Sequence, residues 1–311
     1  MENVIIKDTQ PKSNNPKTTK EKSIESPSKI VMNRLKKNKL AMFGFILLIF
    51  MILFSFIGPL FISYGYNTQS NLIKSAPTAT HILGTDYLGR DVLTRLMYGG
   101  KISILVGIIA VVIEMVIGTL IGAISGYYGG RIDSVLMSIT DVFLSLPFMP
   151  VILIAGSLMS DLRLDPEVRI FLLMFVMGIL SWPSITRLVR GEILSLREQE
   201  FMQATEALGL KDIRKIVNHL IPNVIPTIIV NATLGVANAI ILEATLSYLG
   251  VGVAEPIPSW GNLMNAANSI ADFKNRAWLW VPPGVCILLT VMAVNLVGDG
   301  LRDALDPKMK R

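Results

Sequence analysis

Three carboxylates lie within or beside long apolar stretches of the sequence: Glu114, Asp141 and Glu243. A charge at the middle of a bilayer costs about 2.5–3.5 kcal/mol on insertion scales, so such residues usually face a bundle interior or water. There they can line a path for a polar substrate, or they can act as structural hydrogen-bond partners between helices. Asp141 and Glu243 fall near the ends of their stretches, where water can reach them. Glu114 is therefore the strongest candidate for a substrate path.

Residues that could perform catalysis form no recognisable catalytic pattern. The sequence has no G-x-x-x-x-G-K-[ST] phosphate loop, no nucleophile elbow and no zinc signature. His81 and His219 are the only histidines, and the single cysteine, Cys286, cannot form an internal disulfide. We therefore expect no enzymatic activity, and no metal or cofactor bound by this chain.

The composition is that of a membrane protein. Of 311 residues, 51% are hydrophobic and 17% are charged, and the mean hydropathy is +0.54. A soluble domain carries about 25% charged residues. Because about 20 apolar residues cross a bilayer as a helix, we predict an all-α membrane protein with six transmembrane helices, at residues 40–62, 102–124, 136–159, 170–185, 224–246 and 277–298.

Positive charge fixes the expected orientation. Most of the 29 lysines and arginines lie in the first 39 residues, the turn after the second span, the segment 187–222 and the final residues. Cytoplasmic loops are enriched in these residues, so we expect both termini in the cytoplasm. Residues 1–38 are polar and show no apolar period, which predicts a disordered basic tail. The basic residues lie between apolar stretches rather than in one patch, so the pattern indicates membrane lipid and not nucleic acid.

The stretch 201–226 is the longest polar interruption in the second half of the chain. Ser195 followed by Glu198 has the form of a capping box, which predicts a helix start. Gly209 can take the positive φ that ends a helix, and Pro222 and Pro226 are expected to break a second helix. The predicted apolar faces are Phe201, Ala204 and Leu208 on the first helix, and Ile213, Ile216, Val217 and Leu220 on the second. Spacing leaves two roles open: docking to a partner protein, or lying on the lipid surface.

This stretch resembles the EAA loop of binding-protein-dependent ABC importer permeases. The matching residues are Ala204, Thr205, Gly209 and Pro222, while Gln203 and Thr205 stand where the family commonly has Glu and Ala. Further motifs are similar to the second permease subunit of oligopeptide, dipeptide and nickel importers over about residues 81–311. They include GTDYLGRDVLTRLMYGGKIS, GYYGGRIDSVLMSITDVFLSLPF and LSYLGVGVAEPIPSWGNLM.

The resemblance implies a type I ABC importer permease fold in the plasma membrane. It divides the chain into a tail (1–38), a first span with an extracytoplasmic loop (39–101), and a permease domain (102–311) whose coupling loop covers about 195–222. A homologous second permease, two cytoplasmic ATPases that bind ATP and Mg²⁺, and an extracytoplasmic binding protein are the implied partners. The implied ATPase-coupling residues are Phe201, Ala204, Thr205, Glu206, Gly209, Leu210 and Pro222.

The substrate and the transporter class have alternatives. Peptide is the expected substrate. Nickel or a metal chelate is the alternative, because peptide and nickel importers share these motifs. A secondary transporter or channel would be favoured by an internal inverted repeat, and we find no convincing one. The loops 63–101 and 247–276 are the expected docking surface for the binding protein.

Overall fold

The computed structural model describes residues 27–305. Twelve α-helices dominate this part of the chain: α1 Pro27–Lys37, α2 Lys39–Phe56, α3 Val92–Tyr128, α4 Gly130–Ser145, α5 Phe148–Asp161, α6 Pro166–Arg197, α7 Glu200–Ala207, α8 Asp212–Lys215, α9 Ile221–Tyr248, α10 Trp260–Leu263, α11 Ile270–Asn275 and α12 Ala277–Leu305. Between residues 27 and 305, extended pairing is limited to two isolated bridges, Gln69 with Arg90 and Thr85 with Asp91. The all-α prediction is confirmed.

Five helical stretches are long and apolar enough to cross a membrane: Lys39–Phe56, Val92–Tyr128, Pro166–Arg197, Asp212–Tyr248 and Ala277–Leu305. The pair α4 and α5 makes a sixth if it counts as one span, but the two helices meet at an angle of 76°. The described residues therefore hold five or six spans.

The predicted third span, 136–159, is not one straight helix. Leu146 is extended (φ −70°, ψ 132°) and Pro147 follows it as the N-cap of α5. A proline disfavours the helical conformation for the residue before it, so the helix ends at Ser145 and restarts at Phe148. The apolar stretch was long enough for one span, but the proline divides it.

Other helix boundaries differ from the predicted spans because helices continue beyond their apolar parts. Helix α3 begins at Val92, ten residues before the predicted span. The Asp91 carboxylate caps this start by accepting a hydrogen bond from the Thr94 amide at 2.8 Å. Helix α6 runs for 32 residues, through Pro183 and on to Arg197. Hydropathy marks what can lie in lipid, whereas capping decides where a helix starts.

The predicted tail is partly helical. Residues 27–37 form α1, which contradicts disorder over that range, and the Arg34 guanidinium donates to the Ala304 carbonyl near the end of α12 at 3.4 Å. The side chain of Leu35 also lies close to Gly300. Contacts with α12 give this basic segment a surface to fold on. Residues 1–26 of the predicted tail lie outside the described residues.

Helices α3 and α6 pack closely along a stripe of glycines on α3, spaced four residues apart. A Cβ on any of these glycines would come within 3 Å of an isoleucine or valine Cβ on α6. The pairs are Gly118 with Ile185, Gly122 with Val189, and Gly126 with Ile193. Small residues at helix interfaces let backbones approach closely in a membrane. The stripe therefore makes α3 and α6 one closely packed pair.

The helix bundle has two structurally different ends. At the wide-loop end, the loops 57–91 and 249–276 contact each other, for example through Lys74 and Asp272 at 2.8 Å. At this end Trp260 is fully buried and its Nε1 donates to the Leu96 carbonyl at 2.9 Å. At the short-helix end, α7 and α8 lie beside the end of α3. The two candidate sites are at the short-helix end and in a cleft within the bundle.

Candidate coupling surface and translocation cleft

The short-helix segment, residues 198–220, connects α6 to α9. Its first helix, α7, begins at Glu200 after the N-cap Gln199, whose side chain makes no capping hydrogen bond. The capping-box prediction at Ser195 is wrong, because Ser195 lies inside the last turns of α6. A capping box works only where the preceding backbone is not helical, and here α6 continues to Arg197.

Gly209 ends the first short helix as predicted. Its φ is +65°, its amide donates to the Glu206 carbonyl at 2.9 Å, and the next amide, of Leu210, donates to the Thr205 carbonyl at 3.2 Å. A Cβ at Gly209 would meet no atom within 4 Å. The requirement for glycine within this chain is therefore conformational, worth roughly 1–2 kcal/mol, and the space beside it is open.

The apolar face of α7 differs from the predicted one. Met202 and Thr205 are buried, Phe201 is half-buried, and Ala204 and Leu208 are exposed. The Thr205 hydroxyl donates to the Met202 carbonyl at 2.6 Å, so its polar group is satisfied where it is buried. The difference arises because α7 packs on the bundle with the face next to the one that spacing suggested.

The second predicted apolar face is also divided. Ile216 and Leu220 are buried in the core, whereas Ile213 is 67% exposed and Val217 is 49% exposed. Leu208, on the other side of Gly209, is 77% exposed. The short-helix segment thus presents apolar side chains outward around Gly209. Exposed apolar side chains at this place suit either of the two roles that spacing left open, docking to a partner protein or lying on the lipid surface.

Pro222 does not break the second helix. The chain passes from α8 through a π-helical turn, Ile216–Leu220, directly into α9, and the stretch Asp212–Tyr248 reads as a single span. The Ile221 amide donates to the Ile216 carbonyl, five residues back. Pro222 occupies the first turn of α9, and the wider turn before it accommodates the missing amide hydrogen.

A cleft of about 790 Å³ lies between α3, α6 and α9 beside the break between α4 and α5. Its polar lining consists of one carboxylate, two amides and two hydroxyls, from Glu114, Asn231, Asn238, Ser181 and Ser184. Within residues 27–305, the Glu114 side chain makes no hydrogen bond or ion pair. Its carboxylate therefore lines the cleft without a partner among the described side chains.

The two asparagines were not predicted as cleft residues. Asn231 and Asn238 are seven residues apart on α9, so they share a face of the helix, and both line the same cleft as Glu114. Their spacing was the signal that could have identified them. The sequence alone does not show that these asparagines lie near Glu114, because nothing in it indicates that α3 and α9 are neighbours.

Asp141 is not part of this cleft. Its carboxylate accepts from the Arg187 guanidinium at 2.7 Å, and both side chains are more than half exposed. Exposed pairs of this kind contribute about 0–1 kcal/mol. The predicted substrate-path role is not supported by its position.

Glu243 is likewise absent from the cleft lining and is fully buried. Its two carboxylate oxygens accept hydrogen bonds from the Ser103 and Ser247 hydroxyls, each at 2.7 Å. The Ser103 hydroxyl in turn accepts from the Trp260 amide at 3.1 Å. Glu243 therefore joins α9, α3 and α10, which is the structural alternative that the sequence left open.

A second, strongly charged cavity of about 770 Å³ opens at the wide-loop end. Arg90 donates to Glu255 at 2.6 Å and to Asp86 at 2.7 Å, and Arg95 donates to Glu255 at 3.0 Å. Burial lowers the pKa of Arg90, but its contacts with Glu255 and Asp86 outweigh that effect, so the net pKa is raised. This network ties the loop before α3 to the loop before α10 and builds the wide-loop surface.

A nearby ion-pair cluster extends the same surface. The Lys74 ammonium donates to Asp272, and Arg276 contacts the same carboxylate at 2.5 Å. The hydrogen bond from Lys74 lowers the pKa of Asp272, so this carboxylate stays charged. Within the part of the chain that the structure describes, no group of three or more metal-ligating side chains comes together.

These features define a polytopic membrane protein with an exposed helical segment at one end and a polar cleft between its spans. Comparison with known proteins identifies the family. Residues 118–311 match the family described as "binding-protein-dependent transport system inner membrane component", and residues 26–77 match the "N-terminal TM domain of oligopeptide transport permease C". The chain belongs to the family of binding-protein-dependent inner membrane transport components.

Several relatives are similar over most of their length. The dipeptide transport system permease protein DppC of Alkalihalophilus pseudofirmus is 39% identical over 302 residues, covering 96% of each chain. The oligopeptide transport system permease protein OppC of Bacillus subtilis is 38% identical, covering 91% of this chain and 90% of its own. The OppC protein of Haemophilus influenzae is 40% identical, covering 88% of this chain and 86% of its own.

Proposed function

We propose that the chain is one of two permease subunits of an ATP-driven peptide importer in the plasma membrane. The substrate class is supported by the relatives named as dipeptide and oligopeptide permeases. The observation that carries the mechanism is the short-helix segment, a folded platform with exposed apolar side chains around Gly209. Its basic residues support a cytoplasmic position for the short-helix end and for both termini.

In this proposal, the short-helix segment is the contact site for a cytoplasmic ATPase. Ala204 and Leu208 are exposed before Gly209, and Ile213 and Val217 are exposed after it. These side chains would enter a groove of the ATPase, as amphipathic helices do when they bind partners. Two ATPases would bind ATP and Mg²⁺ and supply the energy, since the permease sequence has no phosphate loop.

The seven coupling residues then divide into two roles. Ala204, Glu206 and Pro222 are exposed and Gly209 lies beside open space, so these positions suit contact with the ATPase. Thr205 is buried, and Phe201 and Leu210 are half-buried, so these residues suit the internal packing that holds the platform in shape.

The cleft beside Glu114 is the proposed half of the translocation path, and a homologous sister permease would complete it. A peptide carries an ammonium group and a row of amides. One carboxylate and two side-chain amides provide matching hydrogen-bond partners for these groups. The break between α4 and α5 flanks the cleft through Leu146 and Phe148, so a shift of either helix would change its width.

The wide-loop end is the proposed docking surface for an extracytoplasmic binding protein. The ion pairs of Arg90 with Glu255 and of Lys74 with Asp272 fix its two loops against each other. A rigid surface loses little entropy when a partner binds. In this arrangement the binding protein selects the substrate and delivers it to the cleft.

The test is co-expression with the sister permease, both ATPases and the binding protein, followed by reconstitution into liposomes. We expect the subunits to co-purify, and labelled di- or oligopeptides to accumulate only with ATP and the binding protein. Accumulation of nickel or a metal chelate instead of peptide would show that the importer carries metal and not peptide. Uptake by the chain alone, driven by an ion gradient, would replace the proposal by a secondary transporter.

A further inference from the structure

The short-helix segment is attached to the end of α3 by a hydrogen bond between residues distant in sequence. The hydroxyl of Tyr127, one residue before the end of α3, donates to the Asp212 carboxylate at 2.6 Å. Asp212 is the first residue of α8. The contact is exposed to solvent, and its acceptor is a carboxylate, which makes a hydrogen bond stronger than a neutral acceptor does.

Asp212 is also held from within the short-helix segment. The Lys215 ammonium lies 3.8 Å from the Asp212 carboxylate and 3.9 Å from that of Glu206 on α7. Lys215 is buried, although both carboxylates are largely exposed. Lys215 therefore connects the two short helices across the turn at Gly209. Through it, both α7 and α8 are linked to Asp212, the residue that Tyr127 contacts.

A second set of contacts joins α6 to the same end of α3. The Arg197 guanidinium donates to the Tyr127 carbonyl at 2.9 Å and to the Gly126 carbonyl at 3.4 Å, which satisfies two of the last four carbonyls of α3. Arg190 holds Asp133 of α4 through two hydrogen bonds, at 2.5 and 2.6 Å. The ends of α3, α4 and α6 are thus fixed to one another independently of the Tyr127 hydroxyl.

Helix α3 also carries the candidate cleft carboxylate. Glu114 and Tyr127 are thirteen residues apart on one uninterrupted helix, which corresponds to about 20 Å at 1.5 Å per residue. The glycine stripe between them packs α3 closely against α6. A displacement of the end of α3 would therefore be carried along one continuous helix, together with the closely packed α6, toward Glu114 and the wall of the cleft.

We propose that the Tyr127 hydroxyl is a positioning contact that transmits movement of the short-helix segment to α3. The inference rests on the proposed function, because it assumes that a partner moves this segment. The Tyr127 ring packs against the hydrophobic core, and Tyr127→Phe keeps that ring while removing only the hydroxyl. Its removal should weaken the link between ATP hydrolysis and transport while ATPase binding persists.

The test compares Tyr127→Phe with Tyr128→Phe in the assembled complex in lipid nanodiscs and liposomes. Tyr128 is adjacent, and its ring meets the Tyr127 ring at 5.1 Å, but among the described residues its hydroxyl makes no hydrogen bond. We expect Y127F to retain its ATPases and to transport about tenfold less peptide per ATP hydrolysed, the scale of one charge-assisted hydrogen bond. Y128F should match the wild type. Equal coupling in Y127F and the wild type would overturn the inference.

A double-mutant cycle identifies the partner of the hydroxyl. Asp212→Ala should lower coupling, and the Y127F/D212A double variant should lose no more than the larger single loss, because both changes remove the same contact. Asp212→Asn, which keeps an acceptor oxygen, should retain more coupling than D212A. Multiplicative losses in the double variant would show that the two residues act separately and would overturn the inference.

Amide hydrogen exchange gives a readout that does not require transport. Y127F should speed exchange in residues 206–215 relative to the wild type and Y128F, because the segment loses an anchor. If the wild-type complex imports no peptide but this difference is seen, the proposed function fails and the anchoring contact stands. Unchanged exchange in Y127F would contradict the contact itself, whatever the complex transports.

Discussion

Gly122 of α3 lies against Val189 of α6 so closely that a Cβ on Gly122 would be 2.9 Å from the Val189 Cβ and 2.7 Å from the Thr186 carbonyl oxygen. The interface therefore has no room for a methyl group at this position. Gly191, on α6, is a natural control, because a Cβ there would meet no atom within 4 Å.

Gly122→Ala should destabilise the protein and Gly191→Ala should not. Overpacking a close interface costs about 1–3 kcal/mol, whereas alanine in an open helix position is favoured over glycine by about 0.5–1 kcal/mol. Thermal unfolding of the detergent-solubilised protein measures both. Equal unfolding temperatures for the two variants would contradict the close packing of α3 on α6.

Glu243 should be a structural residue. Glu243→Ala leaves the hydroxyls of Ser103 and Ser247 without a buried acceptor, a cost of about 1–3 kcal/mol for each unsatisfied group. The control, Asp141→Ala, breaks an exposed pair with Arg187 and should change stability by less than about 1 kcal/mol. A stable E243A variant that assembles normally but transports no peptide would instead place Glu243 in the substrate path.

Glu114 should affect transport rather than assembly. Glu114→Leu removes the carboxylate from the cleft, and we expect peptide uptake to fall by about tenfold or more, since a charged group loses its partner. Val116→Leu is the control on the same helix, where the side chain is more than half exposed. The ATPases should co-purify with both variants. Normal uptake by E114L would exclude this carboxylate from the path.

The sequence predicted those parts of the fold that depend on local chemistry. The apolar stretches located the spans, and Gly209 marked the end of a helix because few other residues adopt its φ of +65°. Ser195 and Glu198 gave a misleading local signal, since the capping box was overridden by the continuing hydrogen bonds of α6. Apolar length alone predicted one continuous helix over residues 136–159, but Pro147 interrupts it.

The candidate sites were harder to predict, because they depend on which helices are neighbours. Glu114 and Glu243 look alike in the sequence, as single carboxylates in apolar surroundings. One faces a cleft with Asn231 and Asn238, and the other is buried among hydroxyls. The contact between Tyr127 and Asp212 joins residues 85 positions apart. Neither fact can be read from spacing along one helix.

The short-helix segment itself offers the most direct measurement. Gly209→Val forces a β-branched residue into a positive φ, and Gly250→Val makes the same change at the wide-loop end, where φ is +83° and the space beside the glycine is also open. Both substitutions carry a similar backbone cost, so they differ mainly in the surface that they disturb.

The measurement is the amount of peptide transported per ATP hydrolysed in proteoliposomes, for the wild type, G209V and G250V. It tests whether the short-helix segment couples an ATPase to the spans. We predict that G209V loses either its ATPases or most of its peptide uptake, while G250V retains its ATPases. A G209V complex that keeps its ATPases and transports peptide with wild-type coupling would contradict the account.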